Sequence, residues 1–131
     1  MGLFARIFGI CKTDPPSDKG SWTFSDGKAE ISLTRAPELS EPGNAVRLEG
    51  KGLSRRILVV RGNDGQFHAF ENRCTHKGSR LDPVGPDEPL QCCSVGQSTF
   101  DLDGKVISGP AKETLSILQV EIETDRVIVF L

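Results

Sequence analysis

Four side chains in this sequence bring thiol and imidazole chemistry together at short spacing: Cys74 and His76, two apart, and the adjacent pair Cys92 and Cys93. Thiolate sulfur and imidazole nitrogen are the donors that soft and borderline metals select. A Cys and a His two apart can present both donors from one tight turn, and a second pair from a distant segment then closes the site. Between the pairs runs His76 to Gln91, with Gly78, Pro83, Gly85, Pro86 and Pro89 and no apolar periodicity. That is too long for an ordinary connection, and loops of this kind usually serve a site. Singly, Cys74 reads as a small buried hydrophobe and His76 as a surface histidine; their combination with the second pair points to metal or redox chemistry. The other histidine, His68, neighbours core-type phenylalanines and reads as solvent-facing or hydrogen-bonded.

Other chemistry is poorly supported. Sixteen Lys and Arg against 18 Asp and Glu, net charge -2, give no cationic field for a phosphate backbone, so nucleic acid is not an expected partner. There is no recognisable nucleophile with its base and no phosphate-binding glycine loop. Four cysteines are too few for a disulfide scaffold in a chain of 131 residues that can build one core. No apolar run reaches the roughly 18 to 20 residues that cross a bilayer, and the start lacks a small-residue cleavage site, so a cytoplasmic location is expected.

The elements that must position these donors are strands. Fourteen glycines and eight prolines disfavour long helices. Strands are expected over Ala29–Thr34, Ala45–Leu48, Arg56–Arg61, Gln66–Phe70, Thr99–Leu102, Lys105–Ile107, Ile117–Ile122 and Arg126–Leu131, with tight turns at Gly62–Gly65, Asp103-Gly104 and Thr124-Asp125. Residues 1–20 stand apart from the domain of residues 21–131. Leu3, Phe4, Ile7, Phe8 and Cys11 share one helical face, which either packs on the domain or makes peripheral membrane or partner contact through residues 1–12. Thr13 to Gly20, with two prolines, reads as a linker making few contacts.

Glu71-Asn-Arg-Cys-Thr-His-Lys-Gly78 resembles the first cluster-binding box of Rieske [2Fe-2S] domains, Cys-x-His followed closely by Gly. Ser98-Thr-Phe-Asp101 is similar to the tail of that family's second box, Cys-x-x-His-Gly-Ser-Thr-Phe-Asp, and Ser108-Gly-Pro-Ala111 to the proline-containing loop that covers the cluster. The likeness runs from about Val46 to Leu131. It implies an all-β fold, a Rieske-like antiparallel β sandwich with a cluster-binding subdomain of two loops. It also implies a [2Fe-2S] cluster, single-electron transfer by an electron carrier or oxidoreductase subunit rather than a stand-alone catalyst, and a protein redox partner, a reductase or an oxygenase/reductase subunit.

The second box departs from the family where it matters most. Counting back from Ser98 makes Cys93 the ligand and puts Gly96 at the histidine position; counting forward from Cys92 puts Val95 there. A Rieske centre holds one iron by two cysteines and the other by two histidines, so the resemblance leaves His76 alone on the outer iron. The ligand candidates are Cys74, His76, Cys93 and Cys92. Several outcomes stay open: a three-thiolate, one-imidazole cluster using Cys92, a cluster completed by another group, a zinc or mononuclear iron site, and a site without metal. Adjacent side chains on extended backbone point to opposite faces, which argues against Cys92 and Cys93 serving together. The resemblance also places the paired loop cysteines of high-potential members at Ser79 and Val95, so that bridge is missing and the chain is closer to the ferredoxin-like branch. From another class comes the alternative of a cluster-free Rieske-fold accessory subunit of a larger oxidoreductase.

Overall fold

The computed structural model describes residues 11–62, 64–76, 78–83, 90–93 and 98–131. Among the described residues, eleven strands lie in two antiparallel sheets: β1 (Trp22–Ser25), β2 (Lys28–Ser32), β3 (Ala45–Leu48), β4 (Ile57–Arg61), β5 (Phe67–Glu71), β6 (Leu81–Pro83), β7 (Leu90–Cys92), β8 (Thr99–Phe100), β9 (Val106–Ser108), β10 (Ile117–Glu123) and β11 (Arg126–Phe130). The larger sheet runs β1-β2-β11-β10-β5-β4-β3, and the smaller runs β6-β7-β8-β9. Strand β10 joins the halves of the larger sheet: Ile117 and Leu118 pair with Phe70 and Ala69 on β5, while Gln119 to Glu123 pair with β11. The all-β expectation holds.

Strand β4 explains how two cores arise from one sequence run. Ile57-Leu-Val-Val60 lacks polar alternation because both of its faces are covered, and all four residues are buried. Ile57 and Val59 face one core with Val46, Leu48, Ile31, Val127 and Val129. Leu58 and Val60 face a second core with Phe70, Leu81, Leu90 and Phe100, and this core also contains Cys74 and Cys92. The smaller sheet sits over this second core, and both ligand boxes hang from it.

The segment expected to be a featureless loop contains two strands. Strands β6 and β7 pair Leu81 with Cys92, Asp82 with Gln91 and Pro83 with Leu90. Three-residue strands are too short to show a period of two, and the prolines masked them.

Residues 13–20, read from composition as a linker, are docked together with Cys11 and Lys12 as a strap. The N–H of Arg47, on edge strand β3, donates to the Asp14 carbonyl at 3.1 Å, and Arg47 Nε donates to the Thr13 carbonyl at 3.1 Å. The Lys12 and Thr13 N–H groups donate to the two oxygens of Asp82, at 2.7 and 2.9 Å. Ser17 N–H donates to Glu38 at 2.7 Å, and Pro16 is buried. Prolines exclude regular structure but not docking, and an open strand edge is a natural place for such a segment. The amphipathic face assigned to residues 1–12 lies, up to residue 10, outside the described residues.

Candidate metal centre

The first box is a tight turn held from both sides. Cys74 N–H donates to the Ser79 carbonyl at 2.7 Å, and the Cys74 carbonyl accepts the N–H of Gly78 at 2.8 Å. Gly78 sits at φ +77°, where a side chain would be strained. Asn72, fully buried just before it, accepts the Leu81 N–H at 2.8 Å, which ties the box to β6. The Arg56 guanidinium donates to the Gly78 carbonyl, and burial pushes its pKa below the usual arginine value. The turn leaves the Cys74 side chain fully buried and His76 exposed.

The second box sends its two cysteines to different places, as extended backbone demands. Cys92 ends β7 and enters the second core, which also holds Cys74, with its N–H on the Ser98 carbonyl at 2.8 Å. Cys93 donates its N–H to the Arg80 carbonyl at 2.9 Å, and its sulfur is bonded to that of Cys11. Sequence reading placed Cys93 at a metal and Cys11 on a helix face; the structure joins them across 82 residues. The docked strap is what makes this pairing geometrically possible, with Cα atoms 5.5 Å apart. Asp82 completes the group: its carboxylate and the two sulfurs lie within 4.8 Å of one another. Among the described residues this is the one cluster of three His, Cys, Asp or Glu donors at metal-binding separation; Cys74, His76 and Cys92 do not form another.

The third loop lies across both boxes. Thr75 Oγ1 donates to the Glu113 carbonyl at 2.7 Å, and Ser98 Oγ accepts the Ala111 N–H at 3.0 Å. Gly109, at φ +95°, approaches so closely that a Cβ there would stand 2.5 Å from Ser98 Cα. Only a glycine permits this contact, which seats the Ser108–Ala111 loop where the sequence likeness expects a cover. His68, by contrast, belongs to the β4–β5 hairpin, with Nε2 3.8 Å from an Asp64 oxygen and, among the described residues, without a hydrogen-bond partner at that nitrogen.

A family model, the Rieske [2Fe-2S] domain, matches residues 30–121. The chain belongs to this family. It is a family of electron-transfer domains whose cofactor is a [2Fe-2S] cluster, as the resemblance implied. The glycine betaine monooxygenase oxygenase subunit of Pseudomonas aeruginosa is 39% identical over 72 residues, covering 53% of this chain, and the chain spans 16% of that subunit's length. The cytochrome b6-f complex iron-sulfur subunit of Synechococcus sp. is 29% identical over 120 residues, 88% of this chain and 67% of that one. Among solved structures, the plasma membrane Rieske protein PetC3 of Synechocystis PCC 6803 has a TM-score of 0.55 at 27% identity, covering 65% of this chain and 86% of that one. A chain from the complex of reduced oxygenase and oxidized ferredoxin in carbazole 1,9a-dioxygenase has a TM-score of 0.58 at 26% identity, covering 69% and 82%.

Set against the family's cofactor, this Rieske domain has an incomplete donor set while its disulfide is closed. Cys74 and His76 are available, the Cys93 sulfur is consumed in its bond to Cys11, and neither Gly96 nor Val95 carries a donor side chain. In that form the residues do not fit a Rieske centre, which needs two thiolates and two imidazoles. With the disulfide opened, Cys74, Cys93 and His76 provide three donors of the right chemistry.

Sequence reading missed Cys11 and Asp82 as parts of this site, and with them Arg80 and Glu49, whose side chains pair at 2.7 and 2.8 Å beside Cys93's backbone partner. One signal was present: Cys11, placed on a helix face, was the one cysteine given no donor role. The carboxylate and the guanidinium carried no local pattern, since their partners are far along the chain.

Proposed function

We propose that this chain is a Rieske-type electron-transfer domain that exchanges single electrons with a protein redox partner, a reductase or an oxygenase/reductase subunit. The observation that carries the reading is the first box, where Cys74 and His76 are set in a turn fixed by Asn72, Arg56 and Thr75, beneath a loop seated by Gly109 on Ser98. In the dithiol form Cys74, Cys93 and His76 would hold the cluster, and Cys92, in the same buried group as Cys74, is the next thiolate to test. When bound, the cluster supplies one-electron chemistry. The chain's own part is to bury the cysteine side and to leave the histidine side open to a partner.

Charge around the first box favours a partner face carrying carboxylates. Arg55, Arg56 and Arg73 line a surface cavity of about 500 Å³ beside Gly78, with Glu71 as its single acidic residue. Three guanidiniums against one carboxylate make this corner cationic on a chain of net charge -2, which steers an acidic surface toward the exposed His76. We place the domain in the cytoplasm, with peripheral membrane contact through residues 1–12 as a secondary possibility to be read by vesicle sedimentation.

Anaerobic reconstitution of the reduced chain with iron and sulfide tests the reading. About two irons and two acid-labile sulfides per chain, with a visible spectrum that bleaches on one-electron reduction, are expected. The cluster-free accessory subunit is the second reading, favoured by the Cys11–Cys93 bond. Absence of iron and sulfide from the fully reduced protein would establish it instead.

A further inference from the structure

The two cysteines of the disulfide differ in exposure. Cys93 is 1% exposed, whereas Cys11 is only partly buried, on the strap. We propose that the Cys11–Cys93 pair is a thiol–disulfide exchange site opened by a dithiol through the Cys11 sulfur, and that opening releases Cys93 as a metal-binding thiolate. The second half rests on the reading of Cys93 as a ligand of the reduced domain.

The exchange runs in two displacements. A thiolate of the dithiol bonds to Cys11 Sγ as the Cys11–Cys93 bond breaks, and Cys93 leaves with the electron pair as a thiolate. The second thiolate of the dithiol then attacks its own sulfur in the mixed disulfide, and Cys11 leaves. The dithiol becomes a disulfide, two electrons pass to the protein, and the two protons of the dithiol end on the released thiolates or in solvent. Attack at Cys11 makes Cys93 the leaving group, so the buried cysteine is the one set free first.

The strap also governs how readily the pair recloses. Asp82 accepts both the Lys12 and Thr13 N–H groups, and Arg47 holds the Thr13 and Asp14 carbonyls, so the strap is held by contacts other than the sulfur bond. A tethered Cys11 stays at high effective concentration next to Cys93, which makes closure intramolecular. Asp82 is thus a positioning residue for the couple. A disulfide in a reducing compartment is usually of this transient kind rather than a structural one. Bonding to Cys11 and bonding to metal are mutually exclusive for one sulfur, so the thiol state would decide whether the second box can take iron.

The test uses the full chain, freed of metal by a chelator and equilibrated with oxidised and reduced dithiothreitol, then alkylated and weighed. Cys11 and Cys93 are expected to become alkylated together in one two-electron step without denaturant. With excess glutathione and alkylation present throughout to trap the freed thiolate before it recloses, the glutathione adduct is expected on Cys11 and the alkyl group on Cys93. Asp82→Ala should shift the couple at least tenfold toward the dithiol, about 30 mV for two electrons. A pair that opens only in denaturant, or a glutathione adduct on Cys93, overturns the exchange site; the glutathione result needs no variant that must fold. Cys11→Ser should take up iron anaerobically without added dithiol, where the oxidised parent chain does not. If exchange proceeds as described but neither the reduced parent nor Cys11→Ser binds iron, the release of a metal ligand is overturned together with the cluster reading, while the exchange chemistry stands.

Discussion

Arg80 grips both carboxylate oxygens of Glu49, with Nε at 2.7 Å and Nη2 at 2.8 Å, while its own carbonyl holds the N–H of Cys93. The same carboxylate takes Arg47 Nη1 at 2.9 Å, and Arg47 Nε reaches the Thr13 carbonyl of the strap. One acidic side chain therefore links the segment that holds the second box to edge strand β3 and, through Arg47, to the strap. Two guanidiniums on a partly buried carboxylate form a strong, geometrically specific arrangement.

That arrangement predicts a pH response. The Arg80 hydrogen bonds, aided by Arg47, hold the Glu49 pKa down to about 2 from an ordinary value of 4.5. A folded-state pKa below the unfolded one gives stability that is fully present above the unfolded value and is lost as pH falls through the folded one. The domain should accordingly lose on the order of 3 kcal/mol between about pH 5 and pH 2 from this group. Urea unfolding across that range should show the decline, and Glu49→Gln should flatten it while lowering stability at pH 7. An unchanged acid limb in Glu49→Gln would show that the clamp does not contribute.

How much of this could be read beforehand differs by element. The run Ile57 to Arg61 and the hairpin into Phe67–Glu71 were legible because β-branched residues and glycine turns act locally. The first box was legible too, since Cys74, His76 and Gly78 sit within five residues of one another. Strands β6 and β7 were hidden, because at three residues each their pairing is set by the partner strand and not by their own pattern. The disulfide was hidden for a different reason. Proximity of Cys11 and Cys93 depends on Asp82 and Arg47 docking a proline-containing strap, a long-range arrangement with no local sequence mark.

Gly109→Ala should be among the most damaging single-methyl changes in the domain. The new Cβ would stand 2.5 Å from the backbone of Ser98, and φ +95° is strained for any side chain. Loss of more than about 2 kcal/mol is expected by thermal or urea unfolding. Ser98→Ala, which removes the acceptor of the Ala111 N–H, should cost less, about 1 to 3 kcal/mol. If both are silent, the cover loop is not seated on the second box.

His76→Ala separates chemistry from folding. The side chain is exposed, so stability should change by no more than about 0.5 kcal/mol. Iron content of the reconstituted, reduced protein should nonetheless collapse, since this is the one imidazole at a family ligand position. Full iron retention with an unchanged visible spectrum would remove His76 from the site.

The neighbouring cysteines give the sharpest comparison, because the fold assigns them different surroundings. Cys92 is 2% exposed in an apolar core, so Cys92→Ser buries a hydroxyl there and should cost about 1 to 3 kcal/mol whatever the redox state. Cys93→Ser removes the link to Cys11 across 82 residues, and should cost about 2 to 5 kcal/mol in oxidised protein and much less in reduced protein. Cys11→Ser should match it in stability. The two must part in metal binding: the spacing back from Phe100 makes Cys93 the ligand, so Cys93→Ser should lose iron where Cys11→Ser keeps it. In a three-thiolate cluster Cys92→Ser would also shift the potential or the absorption, because an anionic sulfur is lost. Should Cys92→Ser alone abolish iron while Cys93→Ser retains it, the ligand is the core-facing cysteine in the same core as Cys74, and Cys93 serves only the strap.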